Sequence, residues 1–441
     1  MLTTPPATPH TVVHPYPDLI DESFDEAAFL WRRWEGELTS LTRNLDEIYS
    51  WTEDRLHGAL DGVRVAGPRA VDVAGTELGS EDLDRVTVAT AVLGSILEPG
   101  APEAIAAALR TAEGKRLDAI LRGLELLGSD QALRASASVL AGPGPTRAAA
   151  MCRLKLFRRV APGDELVTAF QSNVPALQVE ALRAARLLPP ESVKRWITAG
   201  LNSEDEDVRY AAVEAGLAHR IDQAWKTAAL MASQRTPAAG RYLKLLALFG
   251  TPEEQEAIYA ALPVPELQAP AIWALGHVGT VRAADACVAG MKHESIARLC
   301  GEAYCWITGA DLERDSLGVK ETLPDAPAFE DDDLDANLVP PPEALWPLPD
   351  PEAVKKHWLA IRSEWSASVR HIRGKPVSGD TLLSTMETGP MLRRPDLELE
   401  LRVKTRGRYG VETRAFAGRQ RQMMMASRAA VAGQGHDAAA R

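Results

Sequence analysis

Apolar residues return in helix-length clusters about every thirty residues between positions 68 and 310, centred near 92, 122, 153, 182, 212, 245, 273 and 302. Within each cluster the spacing is three or four, the period of one helical face. In Asp205–Leu217, the clearest copy, Val208, Ala211, Ala212, Ala215 and Leu217 form a small-residue stripe behind Asp205 and Asp207. Related runs are LDAILRGLELLG, ALQVEALRAARLL, GRYLKLLALFG, QAPAIWALGHVG and SIARLCGEAYCWITG. Shorter helical segments lie between them, among them GDELVTAF, ESVKRWITAGL and DQAWKTAALMA, and several carry Pro, Asp or Glu at the start as helix N-termini prefer. Gly and Pro punctuate the units at Gly142–Pro145, Pro189–Pro190 and Thr251–Pro252. The pattern predicts an all-α chain: a solenoid of about eight two-helix units, in which each repeat buries its apolar face on its neighbours.

The flanks break this rhythm. Residues 1–20 are Pro-rich and read as a flexible arm, and residues 21–67 read as an N-terminal helical cap. Its first helix places Phe24, Ala27, Ala28, Trp31 and Trp34 on one face; its second places Leu45, Ile48, Trp51, Leu56 and Leu60 on another. Trp31 and Trp34 are expected to be buried there. Residues 311–350 read as a Pro-rich acidic linker and 351–430 as a mostly helical C-terminal extension. Within it LELELRV (397–403) alternates strictly, so a strand and a helix both fit. Residues 431–441 read as a disordered tail, and the run from Met423 onward is expected to fray.

Some repeat positions invite a structural reading. Ser203 with Glu206 matches a capping box, although Asp205 or Asp207 fits the cap as well. Asp207 and Arg209 are placed for an Asp–Arg ladder between neighbouring repeats, and Trp273 and Trp306 recur in register as core aromatics.

Composition narrows the function classes. Formal net charge is -12, so the balance of the chain argues against nucleic acid, whose affinity rests on Lys and Arg. No apolar run reaches the roughly twenty residues of a membrane helix, and the first residues lack the apolar core of an export signal. Cys152, Cys287, Cys300 and Cys305 sit in apolar helical patterns, which fits free thiols in a reducing cytoplasm. Cys300 and Cys305 lie five apart, about 140° around a helix, and do not form a CxxC. His277 and His293 are too widely spaced to announce a metal. No phosphate loop, GxSxG elbow or HExxH helix is present, and no catalytic, cofactor or metal residue is assigned.

Two departures from the overall pattern are candidate contacts for a protein partner. One is the acidic run Glu330, Asp331, Asp332 and Asp333. The other is the basic stretch from Arg393 to Arg421, nine Lys or Arg against four acidic residues, with Arg402, Lys404, Arg406 and Arg408 at its centre.

The signature in DEDVRYAAVEAGL and QAPAIWALGHVG resembles HEAT repeats, including a bacterial group related to phycobilin lyases. FLWRRW, LHGALDGVRVAG, PDPEAVKKHW and ETRAFAGRQ resemble an uncharacterised proteobacterial family often encoded beside type VI secretion genes. The resemblance implies a HEAT-like solenoid and a genomic setting. Together with the missing catalytic signature it leads to a cytoplasmic, non-catalytic scaffold or adaptor for a secretion component or effector. A toxin-neutralising immunity protein is an alternative, and an enzyme of lyase or DNA-repair type rests on fold analogy alone.

Overall fold

The computed structural model describes residues 17–319 and 342–434. They are helical nearly throughout. The helices run α1 (Pro17–Glu37), α2 (Leu45–Ile48), α3 (Asp54–Arg64), α4 (Pro68–Glu77), α5 (Leu83–Ser95), α6 (Ala101–Thr111), α7 (Gly114–Leu127), α8 (Asp130–Leu140) and α9 (Pro145–Arg158). They continue as α10 (Glu165–Phe170), α11 (Pro175–Ala185), α12 (Pro190–Leu201), α13 (Glu206–Ala218), α14 (Asp222–Ala232), α15 (Gly240–Phe249), α16 (Pro252–Ala261), α17 (Pro265–Val278), α18 (Val281–Gly290) and α19 (Glu294–Thr308). The last are α20 (Pro351–Ile361), α21 (Gly379–Thr388), α22 (Arg394–Lys404) and α23 (Ala417–Gln434). Two compact units are formed, one from Met1–Gly36 with Tyr49–Leu154 and the other from Glu37–Ile48 with Lys155–Arg441. The division falls inside α9.

In the first unit α1 buries Ile20, Phe24, Ala27, Leu30, Trp31 and Trp34, and the helix starts at Pro17, inside the stretch read as a flexible arm. Trp31 and Trp34 pack edge to face at 6.0 Å, and Trp34 Nε1 donates to Glu53 Oε2 at 3.0 Å. Burying each indole contributes on the order of 4–5 kcal/mol before entropy is charged against it. The π turn Tyr49–Glu53 joins α2 to α3. It adds about one residue to the turn and shifts the register. Thr52 and Glu53 therefore point inward, and Trp51 is 56% exposed, contrary to the face predicted for it. Packing of α5 on α7 is close enough that a Cβ on Gly123 would lie 2.7 Å from Thr87 O and 2.9 Å from Ala91 N. From α9, Arg153 reaches back to Asp118 and Glu125 of α7, both at 2.7 Å.

In the second unit each helix from α12 to α19 packs on its chain neighbours, and α11 on α13, α15 on α17 and α17 on α19 also touch. Asp205 caps α13, accepting from Asp207 N and Val208 N at 3.0 Å. The Asp–Arg link between successive layers exists, with a different arginine. Asp207 pairs with Arg241 of α15 at 2.7 Å, 34 residues on, while Arg209 folds back on Ser203 O at 2.6 Å. Arg241 stands on a different helix from Asp207, and Arg209 also pairs with Glu206 one turn back in α13. The shorter path for Arg209 is to the unsatisfied carbonyls of its own loop.

The C-terminal extension is docked on these helices. Asp285 of α18 accepts from Trp358 Nε1 at 2.7 Å and from both arms of Arg362 at 2.9 Å. A two-stranded hairpin, β1 (His371–Ile372) and β2 (Lys375–Pro376), lies on α17 and α19. Its two turn residues, Arg373 and Gly374, both have positive φ, the geometry that fits the twist of a tight hairpin. The alternating run 397–403 is helical. Leu397, Leu399, Glu400, Leu401 and Arg402 are all buried, so the helix is covered on nearly every side and shows no single apolar face.

Two further boundaries differ from the sequence pattern. The ends of the acidic linker are pinned together, with Val319 N donating to Leu348 O and Asp350 N to Leu317 O, both at 2.8 Å. α23 continues through Gln434 and buries Met424, where fraying was expected, because α21 packs against it.

Candidate functional site

α22 and the residues before it form a buried charged seam with α13, α15, α17 and α19. Asp396 is its centre: Lys244 Nζ lies 2.8 Å from one oxygen, and Trp273 Nε1 and His277 Nε2 lie 2.9 and 3.0 Å from the other. A carboxylate only accepts, so Nε2 of His277 carries the proton. Burial works against the Asp396 charge, but Lys244 and His277 hold its pKa well below the usual carboxylate range. Burial lowers the Lys244 pKa, and Asp396 more than reverses this, leaving it raised. For His277 burial dominates, and the pKa is pushed down to about 4, so the ring is neutral at pH 7.

Arg393 occupies the next position along the seam. Its guanidinium sits 3.3 Å from the Trp273 ring centre and 5.2 Å from that of Trp306, and donates to Glu302 and to Trp273 O at 3.0 Å. The tryptophans that recur in register thus clamp one buried cation. Gly276 makes room for it, since a Cβ there would lie 2.8 Å from the guanidinium. On the other flank Glu400 accepts from Arg370 at 2.6 and 2.9 Å and pairs with Lys404 at 2.6 Å.

This arrangement sorts the candidate contacts. Arg402 is buried and paired with Glu398, whereas Lys404 is exposed and paired with the buried Glu400. Arg406 and Arg408 are exposed and line a cleft of about 660 Å³ with Arg159, Arg186, Arg220 and His219. Glu330, Asp331, Asp332 and Asp333 lie outside the described residues. The seam was missed in the sequence because its partners are far apart along the chain; buried charges in α22, a segment of uncertain periodicity, were the only signal.

A second cavity, about 360 Å³, is lined by Glu302, Cys305, Trp306, Asp311, Trp346 and Arg373 among others. Burial, followed by Glu302, raises the Cys305 pKa, which leaves the thiol protonated and a poor nucleophile. Among the described residues no cluster of His, Cys, Asp and Glu is placed to hold a metal ion, and no helix is long and apolar enough to cross a membrane.

No family model and no curated protein matches the chain. Among solved structures it is similar to an engineered protein from the Northeast Structural Genomics Consortium, at 17% identity over 64% of this chain and 93% of that one. The TM-score is 0.26, too low to carry an argument about fold or function.

Proposed function

We propose that the chain is a non-catalytic protein-binding scaffold built on a HEAT-like solenoid of about eight two-helix units. The serial packing of neighbouring helices supports the architecture. The resemblance noted in the sequence points to a secretion-system component or effector as the partner and to a cytoplasmic setting. The observation that carries the binding role is the outward Trp51, 56% exposed, with Phe29 of α1 at 61%. An exposed pair, Glu26 with Arg55 at 3.1 Å, ties their two helices together one turn from each ring. Exposed tryptophan is the residue most enriched at binding hot spots, and a π turn is a frequent device for re-aiming a functional side chain. The seam redirects where a partner sits in the second unit. The helix face bearing Lys244, Trp273, His277 and Glu302 is already covered by the chain's own α22 segment.

Native co-purification with mass spectrometry, comparing the wild type with a Trp51→Ala/Phe29→Ala double variant, tests this reading. A specific protein should be recovered with the wild type and lost with the variant. Absence of any stable partner under native expression, or equal recovery by both forms, would count against it.

A further inference from the structure

The cleft bearing Arg406 and Arg408 has a construction that the scaffold reading does not use. Three helices end on it with the same backbone motif. After α9, α13 and α22, the N–H groups of Val160, Ile221 and Gly407 return to Lys155 O, Gly216 O and Arg402 O at 2.8, 2.8 and 2.7 Å. The left-handed residue in each of these terminations is usually glycine. Here it is arginine every time: Arg159 at φ 59°, Arg220 at φ 54° and Arg406 at φ 55°. Each is strained there relative to glycine, which carries no Cβ. One cation at a helix C-terminus is explained by the helix dipole. Three strained arginines converging on one cavity, joined by Arg186 at the end of α11 and by Arg408, are not explained that way.

Charge decides the ligand class. Even with about half a negative charge at each of the four helix C-termini, five guanidiniums leave the cleft cationic by about three charges. No carboxylate lines it. Glu191 lies beside His219 on the first turn of α12, and Glu398 and Glu412 stand in a narrower recess behind Arg159 and Arg186. Glu398 is already committed to Arg402. Arg159 donates to Gly410 O at 2.6 Å and to Arg408 O at 3.3 Å, which fixes the loop that carries Arg408. The Arg186 guanidinium makes no hydrogen bond or ion pair among the described residues, although Glu398, Glu412 and Glu214 lie near enough to act on its charge. Burial, and then the nearby Arg402, lower its pKa to about 10, so a bound anion would relieve it.

We infer that this cleft is a binding site for a small organic phosphate with two or three phosphoryl groups. The planar guanidinium fork matches phosphate oxygens in pairs. The volume lies within the roughly 300–1,000 Å³ range of small-molecule sites. The turn from Leu187 to Pro190 supplies an apolar wall for the organic part, and α12 starts on it with the positive end of its dipole.

Isothermal titration calorimetry on the full chain with a nucleoside triphosphate, inorganic triphosphate and a short DNA duplex tests the assignment. Saturable one-to-one binding of the nucleoside triphosphate is expected, weakening as salt rises. Equal binding of inorganic triphosphate would assign recognition to the phosphoryl groups alone, and weaker binding would assign a share to the apolar wall; both support the site. Arg220→Gly and Arg406→Gly relieve the backbone strain, so each variant should keep its circular dichroism and unfolding midpoint while losing at least tenfold in affinity. Three results would overturn the inference: no saturable binding at millimolar ligand in low salt, unchanged affinity in both glycine variants, or binding of the duplex without either phosphate compound.

Discussion

Replacing Asp396 by Asn asks how much the second unit depends on its buried seam. The substitution keeps an oxygen for Trp273 Nε1 and removes the charge that balances Lys244. Breaking a buried ion pair from one side costs ~3–5 kcal/mol, because the remaining charge stays desolvated. Asp396 is buried, but the Lys244 side chain keeps 25% of its exposure and regains some water, which places the expected loss near the lower end. At about 2–4 °C per kcal/mol for domains of ~150–250 residues, a loss of ~3 kcal/mol lowers the midpoint by roughly 6–12 °C. Adding Lys244→Met should then recover about half the loss, since the stranded ammonium is removed and only hydrogen-bond defects remain. Urea and thermal unfolding followed by tryptophan fluorescence reads both effects, as Trp273 and Trp306 lie in the seam. If Asp396→Asn unfolds within about 1 kcal/mol of the wild type, or Lys244→Met deepens the loss, the seam is not the source of stability argued for it.

Acid should weaken the second unit early. His277 is neutral in the folded state down to about pH 4 but takes up a proton near pH 6.5 when unfolded, so its contribution is present above 6.5 and lost as pH falls toward 4. Asp396, with its lowered pKa, acts in the same direction at still lower pH, its contribution being lost below the unfolded carboxylate range. A urea midpoint that stays level between pH 7 and 4.5, or a His277→Gln variant with the same slope as the wild type, would contradict this. Gly123→Ala should destabilise the first unit by about 1–3 kcal/mol, because the new methyl meets backbone atoms of α5 that cannot swing aside; an unchanged denaturation curve would mean that α5 and α7 separate freely. Trp34→Phe leaves Glu53 without the indole donor in a buried site and should cost about 2 kcal/mol, measurable by the same titration.

The helices were legible because each is encoded locally. Val208, Ala211, Ala212 and Ala215 declare one face of α13 within eight positions, and Trp31 and Trp34 mark the inner face of α1. Spacing suggested the nearer Arg209 as the partner of Asp207, whereas the structure pairs Asp207 with Arg241 of α15. Where an element departs from ideal geometry the pattern misled. A single extra residue in the π turn carried Trp51 from the expected inner face to the surface. In α22, burial of leucines, glutamate and arginine together erased the contrast on which periodicity depends.

By itself the sequence determined an all-helical chain, most of its helical segments, and a cationic C-terminal stretch in an acidic protein. Only the tertiary structure decided which of those cations pair with carboxylates and which face a cleft. Arg402 and Lys404 found carboxylates one helical turn away, while Arg406 and Arg408, just past the end of α22, were left pointing outward beside three arginines contributed by other helix ends. Trp273 and Asp396 meet across 123 residues of chain. Helical periodicity reaches only a few residues along the backbone, so it specifies the faces of helices; which distant charges those faces enclose depends on how the helices pack.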